Sequence, residues 1–151
     1  MKNYITIEGA KLVFRNFEGL QKQFNPKGKR NFCVLLSDED ATKLYSEGYN
    51  IKYLKPRDED ESPRAYLQII VNYDNYPPEV YMVVSNKGKT LLDEETVKLL
   101  DTAELVNVDL QFRPYHWEIN GKEGTTAYLT KMYATIEEDV FDDRYADIPN
   151  C

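Results

Sequence analysis

Residues that build metal and catalytic sites are scarce in this chain of 151 residues. It has one histidine, His116, so paired imidazoles for acid–base catalysis and histidine-rich metal sites are excluded. Its two cysteines, Cys33 in an apolar run and Cys151 at the last position, do not form a disulfide framework. We therefore expect a reduced, intracellular protein with no metal site, no cofactor and no enzymatic activity.

Long apolar segments are also missing. No run approaches the roughly 18 to 20 residues that a membrane span needs. Residues 1–6 lack the apolar stretch of a signal peptide, which agrees with a cytoplasmic location.

The sequence lacks two motifs of phosphate chemistry. The segment Gly88-Lys89-Thr90 resembles the end of a phosphate-binding loop, but the required first glycine is replaced by Val83. We predict instead a basic loop between a strand and a helix. Metal-dependent nucleases often place an acid two positions before a lysine, and no such pair occurs in the chain.

Charge is distributed unevenly. The net charge is −7, which on its own disfavours nucleic acid as a partner. However, residues 1–36 carry seven Lys or Arg against two acids, and residues 137–151 carry six acids against one Arg. The chain therefore has a basic beginning and an acidic end, which are either functional or simply two solvated ends.

Alternating apolar residues predict a mainly β domain. Residues 4–17 are β-rich, with Gly9-Ala10 as an expected bulge. Further core-facing stripes are Phe32/Val34/Leu36, Leu67/Ile69/Val71/Tyr73, Val80/Met82/Val84 and Val106/Val108/Leu110/Phe112, with a last strand at about 125–136. Short strand 50–55 completes the set.

Two short helices interrupt these strands. Ser37 is an N-cap candidate before an acidic turn, and the helix it opens should stop at Gly48. Residues 93–100 are expected to form the second helix. Asn120-Gly121 predicts a type I′ hairpin, because both residues tolerate positive φ. About five principal strands suit a small closed barrel or a sandwich.

Aromatic residues are abundant, with 12 Tyr, 6 Phe and 1 Trp. Arg113, Tyr115 and Trp117 alternate on the side opposite the apolar stripe, and Lys131 and Tyr133 share one parity on the next strand. Such a surface can stack bases. The alternative is that Tyr115 and Trp117 cover a second small core beneath a loop.

Several motifs together resemble a family of tailed-phage single-stranded DNA-binding proteins. They are RNFCVLL (30–36), KYLKPR (52–57), AYLQ (65–68), GKTLLD (88–93), VDL (108–110), RPY (113–115), WEINGK (117–122) and KMY (131–133). The resemblance spans roughly residues 1–147. It implies an OB-fold, here a five-stranded Greek-key barrel with two short helices, and coating of single strands in the host cytoplasm during phage replication or recombination.

The resemblance also implies an acidic tail that contacts replication or recombination proteins. We accordingly predict a DNA-binding domain at 1–136 and a tail at 137–151, with self-association left open. The predicted DNA contacts are Lys11, Arg15, Lys22, Lys27, Lys29, Arg30, Arg113, Tyr115, Trp117, Lys131 and Tyr133. The predicted tail contacts are Glu137, Glu138, Asp139, Asp142, Asp143 and Asp147.

Two rival functions remain open at this point. A protein–protein interaction module or a DNA-mimicking inhibitor of a host enzyme would suit the net charge of −7. The early basic cluster disfavours a mimic. An enzyme acting on DNA is disfavoured by the missing catalytic motifs.

Overall fold

The computed structural model describes residues 4–22, 26–56, 58–59, 61–74, 76–84 and 87–136. Within these ranges nine strands form: β1 (Ile5–Ile7), β2 (Leu12–Asn16), β3 (Arg30–Leu36), β4 (Lys52–Leu54), β5 (Arg64–Val71), β6 (Glu79–Val84), β7 (Gly88–Leu92), β8 (Leu105–Ile119) and β9 (Lys122–Ile136). One α-helix, α1 (Asp38–Ser46), follows β3, and a 3-10 helix (Val97–Asp101) precedes β8. No helix in the described ranges is long and apolar enough to cross a membrane. The predicted acidic tail lies outside the described residues.

The long strand β9 organises the sheet. It pairs with β8 in antiparallel fashion along nearly its whole length. On its other side it pairs in parallel with β5 at Ala127 and Tyr128, and then with β6 at 131–136. The main path of the sheet is β1-β8-β9-β5-β3-β2, while β4 pairs with β5 and β7 with β6.

The mainly β prediction is confirmed, but the arrangement differs from a closed five-stranded barrel. Nine described strands form one open mixed sheet. The number of strands differs because a segment that the pattern predicted as one strand forms two. Residues 4–17 form two strands because β1 pairs with β8 whereas β2 pairs with β3. Gly9, with φ of 62°, lies in the turn between them and donates its N–H to the Asp109 carboxylate, so it is not a bulge within one strand.

The core lies on the side of the sheet that the alternation predicted. Phe32, Ile69, Phe112 and Met132 are all fully buried there, and Phe17 stacks on Phe32 at 5.0 Å. Burial of each such side chain stabilises the fold by about 1.5–3 kcal/mol. The prediction for Val106 is wrong: this side chain is 63% exposed, because the register of β8 on β9 shifts between Leu105 and Asn107.

The two predicted helices have different outcomes. The Ser37 hydroxyl accepts the Asp40 N–H at 3.1 Å, as expected of the cap of α1. The second helix is a five-residue 3-10 helix and not an α-helix. It follows a turn in which the Asp93 carboxylate accepts the N–H groups of Glu95 and Thr96. The hydrogen bonds from Thr96 lower the pKa of Asp93.

The segment Gly88-Lys89-Thr90 is also different from its prediction. It belongs to β7 and pairs with β6, with Lys89 opposite Val83 and Gly88 opposite Val84. A hairpin partner, which the local sequence did not reveal, keeps this segment extended instead of looped. Lys89 thereby lies on a strand next to Tyr81.

The β8–β9 hairpin contains one irregularity that determines which side chains share a face. Asn120 and Gly121 both have positive φ, 52° and 80°, as the type I′ prediction requires. Gln111 pairs with Lys131, but the next residue, Phe112, pairs with Leu129. Thr130 is the extra residue of this bulge, and its hydroxyl donates to the Gln111 carbonyl oxygen at 2.9 Å. As a result, Tyr128 and Lys131 point to the same side of the sheet.

Candidate nucleic-acid interface

The face of the sheet opposite the core carries most of the aromatic and basic side chains singled out in β8 and β9. We call it the outer face. Gln111, Arg113, Tyr115 and Trp117 of β8 lie on it, since Phe112 between them is fully buried. Their partners in register on β9 are Lys131, Tyr128, Thr126 and Gly124.

Arg113 is held between two tyrosine rings. Its guanidinium carbon lies 5.2 Å from the ring centre of Tyr128 and 5.7 Å from that of Tyr76. Tyr115 packs edge-to-face on Tyr128 at 5.9 Å. Together with Asn72 these residues line a cleft of about 330 Å³, which we call the arginine cleft.

The Arg113 guanidinium is available to a ligand. It donates no hydrogen bond to any residue that the structure describes. A guanidinium has five N–H donors in a fixed planar arrangement, which suits the bidentate binding of a phosphate or of a base edge. The two rings fix its position without using those donors, since cation–π attraction acts through the ring faces.

A second aromatic cluster lies farther along β9. Tyr133 stacks on Tyr81 of β6, with ring centres 5.0 Å apart and planes 12° from parallel. The Lys89 ammonium lies 4.6 Å from the Tyr81 ring centre, and the Lys131 ammonium 5.5 Å from that of Tyr133. A hydrogen bond to Tyr133 raises the pKa of Lys131, so its side chain stays cationic. This tyrosine–lysine cluster combines stacking surface with positive charge.

Trp117 and Tyr115 do not cover a second core. Tyr115 is 52% exposed. Trp117 is half-buried, lies across Gly124 of β9, and donates its indole N–H to the Thr126 hydroxyl at 3.1 Å. Both rings therefore belong to the outer face.

The basic residues of the N-terminal part are not gathered at one place. The Arg15 guanidinium donates to the carbonyl oxygens of Leu100 and Ala103, at 2.8 and 2.7 Å, and so anchors the 3-10 helix to β2. Arg30 forms an ion pair with Glu94 at 3.1 Å and lies over Tyr73. Lys11, Lys22, Lys27 and Lys29 have exposed side chains before β2 and in the segment between β2 and β3.

Sequence reasoning missed four aromatic and basic side chains of the arginine cleft and the tyrosine–lysine cluster: Tyr76, Tyr81, Lys89 and Tyr128. The parity of β6 offered a signal for Tyr81, because Val80 and Met82 on either side are apolar. Lys89 was assigned to a loop. Tyr128 carried no signal, since its face depends on the bulge at Thr130. Tyr76 follows a strand and reaches Arg113 only through tertiary structure.

The described residues contain no group of three or more His, Cys, Asp and Glu side chains suited to a metal ion. Cys33 is a buried free thiol on β3. Burial raises the pKa of this thiol to about 11.

Comparisons with known proteins identify the family. Solved structures of the single-stranded DNA-binding protein from bacteriophage Enc34 share the fold. The one in complex with ssDNA has a TM-score of 0.58 at 10% identity, covering 90% of this chain and 88% of that chain. A C-terminally truncated form has a TM-score of 0.56 at 12% identity, covering 90% and 86%. A comparison with curated proteins found no match.

A family model described as "Putative phage ssDNA-binding domain" matches residues 1–151. The resemblance recognised in the motifs is thereby confirmed. The chain belongs to this family of phage single-stranded DNA-binding domains.

Proposed function

We propose that this protein binds single-stranded DNA along the outer face of β8 and β9, without strong sequence preference. The observation that carries the proposal is Arg113, whose guanidinium lies close to two tyrosine rings and donates no hydrogen bond to the described part of the chain. Membership of the phage family and the fold shared with the Enc34 protein, solved in complex with ssDNA, support the same function.

The arginine cleft and the tyrosine–lysine cluster each contribute contacts to phosphates and to bases. In the arginine cleft, Arg113 contacts a phosphate while Tyr115 and Tyr128 offer ring faces to a base. In the tyrosine–lysine cluster, Lys89 and Lys131 contact phosphates on either side of the Tyr81–Tyr133 pair. Tyr128 and Tyr133 are five residues apart on β9, or roughly 16 Å. Several nucleotides of one strand span this distance, which suits the range of about 4–16 nucleotides for OB-type sites.

The N-terminal lysines add a weaker contribution. Lys11, Lys22, Lys27 and Lys29 are exposed and attract the DNA backbone over a longer range. Arg15 and Arg30 serve the protein's own structure first, through the contacts with the 3-10 helix and Glu94. Their contribution to binding is therefore smaller than the sequence pattern predicts.

We also propose a role for the acidic segment that follows the domain. Residues 1–136 form the DNA-binding domain, and residues 137–151 form an acidic tail that carries a net charge of −5. Tyr133 lies three residues before Ile136, the last residue of β9. We propose that the tail, which follows β9 in the sequence, competes with phosphate for Lys89 and Lys131. When DNA displaces it, the tail becomes available to replication or recombination proteins of the phage cycle.

A titration with a labelled oligonucleotide tests this function. We expect tighter binding of a single strand than of the duplex, with affinities for different sequences within a few-fold. Log affinity should fall with log salt with a slope of roughly −2 to −4, for three to six phosphate contacts at about −0.7 each. Equal affinity for the duplex, or no dependence on salt, would contradict the proposal.

A further inference from the structure

A second cleft on the outer face lies beside Trp117, between β9 and the loop that joins α1 to β4. Its volume is about 430 Å³. The polar side chains in its lining are Asn50, Lys52, Gln68, Glu123, Thr125 and Thr126, and Trp117 forms one wall. We call it the tryptophan cleft. Lys52 and Gln68 belong to two of the motifs that carry the family resemblance, but none of these polar residues was predicted to contact DNA.

Trp117 is held in a fixed position in this cleft. A β-carbon on residue 124 would lie 2.6 Å from Cζ2 of the indole, so only a glycine lets the ring lie against β9 there. The Thr126 hydroxyl accepts the indole N–H at 3.1 Å. The ring is thus oriented before any ligand arrives, which reduces the entropy lost on binding.

The opposite wall of the cleft is also anchored. The Thr125 hydroxyl donates to the Glu47 carbonyl oxygen at 2.9 Å, and the Thr125 N–H donates to the Gly48 carbonyl oxygen at 3.0 Å. The Nδ1 atom of His116 lies 2.8 Å from the oxygen of the same hydroxyl. Because that hydroxyl proton is used toward Glu47, His116 is the donor in this contact. These bonds fix the loop against β9 and keep the cleft open.

The polar groups of the tryptophan cleft suit the edge of a nucleobase. In the part of the chain that the structure describes, the side chains of Asn50, Lys52 and Gln68 form no hydrogen bond. The two amides offer both donors and acceptors, and the ammonium offers donors. A flat indole beside two neutral amides and one cation matches a base, which has a π-face and a hydrogen-bonding edge. The one carboxylate in the lining, that of Glu123, also lines the neighbouring cleft.

The far side of Trp117 is unsuited to DNA. The neighbouring cleft there is lined by Glu47, Glu118 and Glu123. Three carboxylates repel the phosphate backbone. The strand therefore meets the indole from the side of Lys52 and Gln68.

The tryptophan cleft lies next to the arginine cleft along β8 and β9. Tyr115 and Trp117 are two positions apart on β8, or about 7 Å. Gln68 lies in the outward-facing row of side chains on β5, and Asn72 continues this row directly after the strand. Gln68 lines the tryptophan cleft and Asn72 lines the arginine cleft. A strand in the arginine cleft can therefore place its next base beside Trp117.

We propose that the tryptophan cleft is a base-binding subsite: one nucleobase stacks on Trp117 while Gln68 and Lys52 hydrogen-bond its edge. Gly124 and Thr126 act as positioning residues for the indole. The inference rests on the proposed function and adds a subsite to it.

Two readouts on one sample test the subsite. Anisotropy of a labelled dT oligonucleotide reports overall binding, and emission of Trp117, the single tryptophan, reports occupancy of the cleft. For the unaltered protein we expect strong quenching at saturation. Lys52→Ala combined with Gln68→Ala should weaken binding roughly 5- to 150-fold, since two hydrogen bonds of about 0.5–1.5 kcal/mol each are lost, and should reduce the quenching. Lys43→Ala, an exposed lysine of α1, removes one charge elsewhere and should change neither readout beyond twofold.

The outcomes separate the two proposals. If anisotropy saturates while the emission of Trp117 is unchanged, the subsite is wrong and the proposed function stands. If the paired substitution leaves both readouts as they were, the subsite is also wrong. If anisotropy detects no binding at all, the proposed function fails. Should the paired variant melt early, Thr126→Val gives an independent test: loss of the acceptor should shift the indole emission and reduce the quenching while binding at the arginine cleft persists.

Discussion

Arg113 and Tyr128 face each other across β8 and β9 as partners in register, with the guanidinium carbon 5.2 Å from the ring centre. The tyrosine therefore has two roles. It holds the arginine, and it presents the remainder of its ring to the arginine cleft.

The first prediction concerns this ring. Tyr128→Ala should weaken single-strand binding about 5- to 150-fold, since a stacked base is worth about 1–3 kcal/mol. Tyr128→Phe keeps the ring and should stay within about twofold. Anisotropy with a labelled oligonucleotide measures both. Equal losses for the two variants would mean that the hydroxyl, and not the ring, matters.

The second prediction concerns charge in the tyrosine–lysine cluster. Lys89→Ala should lower affinity for all sequences alike and reduce the steepness of the salt dependence by about 0.7, the contribution of one phosphate contact on a single strand. Lys98→Ala in the 3-10 helix is the matched control. If the Lys89 variant has the same salt dependence as the unaltered protein, Lys89 does not contact a phosphate and the tyrosine–lysine cluster is not part of the binding site.

The third prediction concerns the acidic tail. A protein ending at Ile136 should bind single strands more tightly at low salt, because a segment of net charge −5 no longer competes with phosphate. The gain should shrink toward 0.15 M salt, where the Debye length is about 8 Å. Unchanged binding at low salt, or loss of the folded state, would show that the segment does not act as a competitor.

The fourth prediction concerns alkaline stability. Burial raises the pKa of Cys33 from 9.0 to about 11, although nearby Lys52 opposes the rise. The native state therefore favours the neutral thiol. The resulting stabilisation is complete below pH 9 and disappears as the pH rises through about 11. The difference between the pKa of 9.0 in the unfolded state and about 11 in the folded state corresponds to about 3 kcal/mol of unfolding free energy.

Urea unfolding between pH 7 and 11 measures this effect. Cys33→Ala should show a flatter loss of stability between pH 9 and 11, whatever the effect of the substitution at neutral pH. Tyr49 and Tyr73, whose pKa values burial raises to about 12, should still destabilise both proteins at the alkaline end. Identical pH profiles for the two proteins would contradict a buried neutral thiol.

Local patterns in the sequence predicted the strand core, with Val106 as an exception. Strand alternation has a period of two, so Phe32, Ile69 and Phe112 were assigned to the buried face without tertiary information. Asn120 and Gly121 similarly predicted their turn, because positive φ is a property of the residues themselves. Within β8, the same parity placed Arg113, Tyr115 and Trp117 opposite the core.

The rest of the interface depends on contacts distant in sequence. Thr130 forms a bulge that the local sequence does not predict. Because of this bulge, Tyr128 and Lys131 lie on the same face of the sheet. Arg15 and Arg30 looked like free cations, but partners 60 to 90 residues away engage them. Cation position in the fold, and not cation count along the chain, determines what DNA can contact.

The central claim is that single-stranded DNA binds at the arginine cleft of the outer face. It is tested most directly by comparing Arg113→Ala with Lys43→Ala in the same single-strand titration, with thermal melting as a check on folding. Both variants lose one positive charge, but only Arg113 lies between two aromatic rings. We predict at least a fivefold loss of affinity for Arg113→Ala with nearly unchanged melting, and less than a twofold change for Lys43→Ala. Equal affinities for the two variants would contradict the claim.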